Sequence, residues 1–337
     1  MKNLEEIAKK IVEDGKGILA ADESTNTIKK RFDSISVDSN EKSRCTYRDT
    51  LFSSNGIEKY ISGVILFEET FFQKNENNES LKEKLENKNC FPGIKIDQGL
   101  EPINSESIET YTKGIETLDK RLKPFCDNGA KFTKWRAVLN IGDDTPTTEC
   151  LKTNSDLLAK YSLISQNNNL VPIVEPEVIM EGDHNLEKCY EITKKTLNEV
   201  FNSLLKEKVN LNAILLKPNM IVPGKDSNEK LNIKKSAEKT FECLKENVPK
   251  DVPGIVFLSG GLSSIDATMI LNEINNFNDS PWKLSFSYGR ALQENALKTW
   301  AGKNENVTEA QKVFLHRAKM NSLASCGKWN ESYEKNL

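Results

Sequence analysis

The chain has 337 residues, with 47 Lys and Arg against 50 Asp and Glu, a formal net charge of −3 with the two signs interspersed. A chain of this length buries about three quarters of its unfolded surface in a single core, and its composition excludes collagen-like, disordered and membrane classes. With no basic field along the chain, nucleic acid is excluded as the main partner.

The N-terminal segment carries Leu4, Ile7, Ala8 and Ile11 at helical spacing, with acidic residues between them. That pattern predicts a surface helix over about 3–13 and not a signal peptide. No run of 18 apolar residues occurs, so no membrane span is expected. Seven cysteines, an odd number without any CxxC pair, read as reduced thiols of a cytoplasmic protein. Only His184 and His316 supply imidazoles, which argues against a His-rich metal centre.

Eight short apolar runs follow in order: Gly17 to Ala21, Gly63 to Phe67, Pro92 to Asp97, Phe132 to Leu139, Leu170 to Glu177, Leu211 to Asn219, Gly254 to Ser259 and Trp282 to Tyr288. Each has the length of a buried strand. Their ends recur every 29 to 45 residues, enough for a crossover helix and its loops, so parallel strands are expected. Helices are predicted over Ser107 to Lys123, Asn185 to Lys206, Ser263 to Asn275, Arg290 to Lys298 and Thr308 to Ala324. Lys74 to Asn89 and the polar tail over about 328–337 look least ordered. Eight strand–helix units predict an α/β fold, a single-domain (β/α)8 TIM barrel. The alternative is a doubly wound open sheet with extra strands, against which no GxGxxG follows the first strand.

Parallel barrel strands should be almost purely apolar, yet five carry charges at their C-terminal ends: Asp22-Glu23, Lys95 and Asp97, Lys134 and Arg136, Glu175 and Glu177, and Lys217. A lone lysine near a strand end is commonly surface decoration, and Glu-x-Glu before a turn commonly solvates a loop or caps a helix. Five strand ends departing together are harder to explain that way, because unpaired charge inside a barrel is costly. The two-residue period puts Lys134 with Arg136, Glu175 with Glu177, and Lys95 with Asp97 on common faces. If those faces point inward, cations and carboxylates converge at the barrel mouth, where barrel chemistry resides. Ser259-Gly260-Gly261 and Gly289-Arg290 end the seventh and eighth runs, the usual place for a phosphate held by backbone N–H groups and a helix N-terminus.

Seven stretches carry a resemblance: GKGILAADEST at 15–25, GIKIDQG at 93–99, KWRAVLNIG at 134–142, VPIVEPE at 171–177, ILLKPNMIVPG at 214–224, FLSGGLS at 257–263 and FSYGRALQ at 286–293. Spanning nearly the whole chain, they resemble the class I fructose-1,6-bisphosphate aldolases, the metal-free Schiff-base lyases of glycolysis and gluconeogenesis. The resemblance implies that no cofactor is needed and that the substrates are phosphorylated sugars. It assigns imine formation to Lys217, a neighbouring ammonium to Lys134, and proton transfer during imine formation and hydrolysis to Glu175 with Glu177 beside it. Asp22 falls at the C4 hydroxyl, with Glu175 the rival for that step. Arg136 binds substrate, Ser259, Gly260, Gly289 and Arg290 bind the C1 phosphate, and Lys95, Ser24, Thr27 and Arg31 surround the other phosphate, with Thr27 where the family often has serine. An amine attacks a carbonyl only when unprotonated, and a second ammonium beside Lys217 favours that form.

One departure concerns the tail, which is shorter than in animal-type enzymes and does not end in tyrosine; Tyr333 is the candidate for its role in moving the C3 proton. The resemblance further implies a homotetramer and binding to actin or other cytoskeletal partners. Fructose 1-phosphate or sedoheptulose 1,7-bisphosphate remain alternative substrates. A transaldolase-like Schiff-base lyase and a non-catalytic scaffold are the rival classes. A class II metal aldolase is disfavoured by the two histidines.

Overall fold

The computed structural model describes residues 2–105 and 107–335. Its strands are β1 (Gly17–Ala21), β2 (Ile61–Leu66), β3 (Phe91–Lys95), β4 (Leu100–Pro102), β5 (Thr110–Thr112), β6 (Phe132–Leu139), β7 (Val171–Val178), β8 (Leu215–Leu216), β9 (Gly254–Phe257) and β10 (Lys283–Tyr288). The α-helices are α1 (Lys2–Ile11), α2 (Thr25–Asp33), α3 (Glu41–Phe52), α4 (Glu68–Phe72), α5 (Leu81–Glu86), α6 (Leu118–Asp127), α7 (Thr148–Asn167), α8 (Leu186–Lys206), α9 (Ile233–Asn247), α10 (Ser264–Asn276), α11 (Arg290–Trp300) and α12 (Val307–Ala324). Eight strands close in the order β1-β10-β9-β8-β7-β6-β3-β2, all parallel, while β4 and β5 form a separate antiparallel hairpin. The predicted barrel is therefore the observed fold, and the open sheet is excluded by closure between β1 and β10.

Strand alternation divides the core in two. Ile18, Ala20, Ile65, Phe132, Ile173, Leu215 and Val256 fill the barrel interior, and Leu4, Ala8 and Ile11 of α1 together with Val12 close it from below. The intervening residues, among them Leu19, Ala21, Ile94, Trp135, Val174, Leu216 and Phe257, face the surrounding helices. Phe132 fits because its neighbours are small: a Cβ on Gly93 would lie 2.1 Å from its ring, and one on Gly63 2.9 Å. The apolar face of α1 thus acts as the floor of the barrel, which its amphipathic rhythm alone does not disclose.

Four expectations need correction, the last of them the tail. Ser107 to Lys123 is not one helix: Thr110–Thr112 pairs with Leu100–Pro102, and α6 begins only at Leu118. Alternating Thr110, Tyr111 and Thr112 suit a strand better than a helix. Lys74 to Asn89 is ordered, through α5, the Lys74–Ser80 bridge and the Asn75 side chain, which bonds Asp49 (3.0 Å) and Glu79 (2.8 Å). The sixth run is mostly not strand. Leu211–Ala213 is a 3-10 turn and β8 has only two residues, although the Lys217 N–H extends the ladder by donating to Val174 O at 2.8 Å. Pro218 then ends it, having no N–H to give.

The tail also packs, as far as it is described; residues 336 and 337 lie outside. Trp329 N–H donates to Asn272 Oδ1 (2.9 Å), and Arg317 of α12 holds the Glu334 carboxylate with two bonds of 2.9 and 2.6 Å. Among the described residues all seven cysteines are free thiols, and no helix is long and apolar enough to cross a membrane.

Candidate active site

The interior parity set by Phe132 and Ile173 carries upward to Lys134, Arg136, Glu175 and Glu177, and that set by Ile18 and Leu215 to Asp22 and Lys217. In-register pairing sets Lys95 opposite Lys134 and Arg136 opposite Glu175. Above the apolar floor lies a nearly dry charged layer: Lys134, Glu175 and Lys217 are all under 5% exposed.

Its connections are specific. Lys134 Nζ lies 2.7 Å from Asp22 Oδ2, 3.4 Å from Glu175 Oε2 and 3.9 Å from Asp97 Oδ2. Lys217 Nζ lies 3.1 Å from the other Glu175 oxygen, Oε1. The two lysines are thus coupled through a shared carboxylate. Arg136 Nε binds Glu177, and Lys95 binds Asp97. Burial disfavours charge on Asp22, but Lys134, Lys217 and Lys95 outweigh it and hold the carboxyl well below the usual carboxylate range. Burial likewise works against the Lys134 ammonium, and Asp22, Glu175 and Asp97 overcome it and raise its pKa above that of a free lysine. At neutral pH this is a carboxylate–ammonium pair with fixed charges.

The phosphate candidates sit at loop and helix starts around the mouth. Gly260 follows β9 with φ +53°, a left-handed conformation that favours glycine. Ser259 is buried, and Ser263 caps α10 by accepting from Asp266 N–H at 3.0 Å. Gly289 stands immediately before α11, and Arg290 donates to Gly260 O at 3.0 Å, joining the two loops. Ser24 and Thr27 hydroxyls lie 3.1 Å apart at the start of α2. Arg31, in the last turn of α2, binds Glu23, and its Nη2 comes within 3.7 Å of where a Gly289 Cβ would stand. Arg31 therefore adjoins the β10 loop, whereas Lys95 rises from β3, across the barrel from β10 with β1 and β2 between them.

Tyr333 does not join this cluster. It is 42% exposed on the 3-10 turn Glu331–Lys335, beside the anchored Glu334. Beside this layer, sequence reading noted Glu23 only as a strand-end charge and did not single out Arg48 or Gln293. Gln293 donates to Glu23 Oε1 (3.0 Å) and Ala20 O (2.7 Å), bracing the end of β1. Asp97 was recognised by its face but not as a partner of Lys134. Among the described residues no group of three or more His, Cys, Asp or Glu side chains is arranged to hold a metal ion.

A family model described as fructose-bisphosphate aldolase class-I matches residues 3–337. Fructose-bisphosphate aldolase 2 of Plasmodium berghei is 49% identical over 97% of this chain and 89% of its own, and fructose-bisphosphate aldolase 2 of Caenorhabditis elegans 48% over the same shares. A fructose-bisphosphate aldolase structure from Plasmodium falciparum, solved in complex with TRAP and a small-molecule inhibitor, superposes with a TM-score of 0.96 at 47% identity, covering 98% of this chain and 95% of that one. With a closed eight-stranded barrel, a buried lysine pair at its mouth and a family match from end to end, the chain belongs to the class I fructose-bisphosphate aldolases, lyases that reversibly cleave fructose 1,6-bisphosphate.

Proposed function

We propose that Lys217 is the imine-forming residue and that Glu175, shared between Lys217 and Lys134, is its proton carrier. The observation that supports this most directly is the 3.1 Å approach of Glu175 Oε1 to Lys217 Nζ in a dry layer. Glu175 takes one ammonium proton, the neutral amine adds to the C2 carbonyl and passes a second proton to its oxygen, and the proton held by Glu175 then leaves with that hydroxyl as water. The resulting iminium is the electron sink. Asp22, kept ionised by its lysines, accepts the C4 hydroxyl proton, the C3–C4 bond breaks, and glyceraldehyde 3-phosphate departs. The enamine takes a proton at C3, and water returns through Glu175 to release dihydroxyacetone phosphate. Asp22 is the proposed base for the C4 step, with Glu175 the rival.

Arg136, oriented by Glu177, serves the substrate hydroxyls. Ser259, Gly260, Gly289 and Arg290 hold the C1 phosphate, and Lys95, Ser24, Thr27 and Arg31 the other. A cytoplasmic homotetramer with actin-binding capacity extends the same reading and rests on family resemblance. Sedimentation and actin co-pelleting test it. For the chemistry, the protein is incubated with dihydroxyacetone phosphate, reduced with borohydride and mapped by mass spectrometry beside Lys217→Met. A sugar-phosphate adduct on Lys217, lost in the variant, is expected; an adduct on another lysine, or none, refutes the assignment.

A further inference from the structure

Behind the mouth, on the α2–α3 side, lies a buried charge cluster that the reaction above does not use. The Glu23 side chain is 5% exposed, and its Oε1 accepts from both Arg31 Nη1 and Gln293 Nε2. Its other oxygen, Oε2, faces Arg48 Nη2 at 3.7 Å. Arg48, from α3, is itself 1% exposed. It donates Nη2 to Glu23 O at 3.0 Å, while its Nε and Nη1 are buried without a hydrogen-bond partner, the nearest carboxylate to Nη1 being Glu69 at 3.9 Å. Leaving donors of a buried guanidinium unmatched is costly, so this arrangement calls for a physical account.

We infer that Arg48 is a positioning residue for phosphate binding: it is the reserve counter-charge for Glu23, which lets Arg31 turn from Glu23 to a substrate phosphate without stranding a buried carboxylate. Arg31 is the outer member, 24% exposed and beside Gly289, and Arg48 the inner. When a phosphate dianion draws the Arg31 guanidinium away, Glu23 Oε2 closes on Arg48 Nη2, whose second N–H is not used by its bond to Glu23 O, a shift of roughly an ångström set by the 3.7 Å separation and an ordinary bond length. Without Arg48 the carboxylate retains Arg31, and phosphate must compete for it.

This inference rests on the reading that Arg31 meets a phosphate, so the experiment separates the two. Inorganic phosphate is used as a competitive inhibitor of fructose 1,6-bisphosphate cleavage, with KM and kcat measured alongside. Arg31→Gln should raise the phosphate inhibition constant about tenfold, one charge-assisted contact; no change overturns the Arg31 reading and the inference with it. Arg48→Met should raise it about five- to tenfold with kcat within about twofold, and Arg48→Lys should restore most of the loss. In a Glu23→Gln background there is no carboxylate to compensate, so adding Arg48→Met should leave phosphate affinity unchanged. If Arg31→Gln weakens phosphate while Arg48→Met does not, or if the Arg48 effect persists in Glu23→Gln, the inference is wrong. Glu23→Gln/Arg48→Met carries no unpaired buried charge at this pair, so the comparison with Glu23→Gln stands even if Arg48→Met alone fails to fold.

Discussion

Lys134→Met is the most discriminating single substitution, because Lys134 faces three carboxylates. Its ammonium lies 2.7, 3.4 and 3.9 Å from Asp22, Glu175 and Asp97; at an effective dielectric of about 20 each contact is worth roughly 4–6 kcal/mol of Coulomb energy before desolvation is subtracted. Methionine fills a similar volume but leaves those carboxylates short of a cation, and breaking a buried pair in this way costs about 3–5 kcal/mol. The pH dependence identifies the cause. In the native protein Asp22 has a lowered pKa, so its contribution to stability is present above the unfolded carboxylate value and lost only as pH falls through its depressed folded value. Lys134 has a raised pKa, so its contribution is present below the unfolded lysine value and lost as pH rises through the folded one. Neither titrates between about pH 5 and 9.

In Lys134→Met the folded cluster relieves repulsion by keeping one proton that the unfolded chain releases. Stability should then fall by about 1.4 kcal/mol per pH unit above roughly pH 5, until the folded cluster also ionises. Urea unfolding of both proteins at half-unit steps from pH 5 to 8 measures this slope. The same retained proton should bring an acid limb into the kcat profile and lower kcat by about 10²–10⁴ at neutral pH. Parallel stability curves for the two proteins would falsify the three-carboxylate account, whatever happened to activity.

Acidification should release the tail. Burial opposes charge on Glu334, but Arg317 and Trp329 more than offset it and its pKa is lowered, so this contact stabilises above the unfolded value of about 4.3 and is lost as pH falls through the folded one. Glu334→Gln should show already at pH 7 the Trp329 emission change that the native chain shows only in acid, with a loss of about 1–3 kcal/mol from the unpaired Arg317; unchanged emission refutes the latch. Gly93→Ala should destabilise by about 1–3 kcal/mol or more, since its methyl would meet the Phe132 ring at 2.1 Å, and Phe132→Leu in the same chain should recover part of the melting temperature. Tyr333→Phe tests the remaining tail function by C3 proton exchange of dihydroxyacetone phosphate: Tyr333 is exposed outside the lysine cluster, and unequal rates would be needed to give it a role.

What the sequence disclosed follows from periodicity. Alternation on β6 and β7 put Lys134 with Arg136 and Glu175 with Glu177 on common faces, and the structure turns those faces inward, with Trp135 and Val174 packed against the outer helices. The charged layer was legible for the same reason that it is expensive: charge interrupts strands that should be apolar. The β4–β5 hairpin was not legible, since three-residue strands are too short to show a period and Ile108, Tyr111, Ile115 and Leu118 mimic a helical one. The tail was misread because its anchoring comes from Arg317 and Asn272, distant residues whose types give no hint of pairing with Glu334 and Trp329.

Arg48 shows where such reading ends. On α3 it stands among Arg44, Thr46 and Asp49, a composition that reads as a solvated helix face. Yet Arg48 and Arg44 point inward, and Glu23 and Glu69 are what they meet. A charge on a strand announces itself by breaking an apolar run, but a charge on a helix is camouflaged by its neighbours. The charged strand ends were therefore readable from one chain, while Arg48 and its contact with Glu23 came into view only with the packing of α2 and α3 against the end of β1. The consequence is physical as well as diagnostic: Asp22 and Glu23 are adjacent, one pairing with Lys134 inside the barrel and the other with Arg31 and Arg48 outside it.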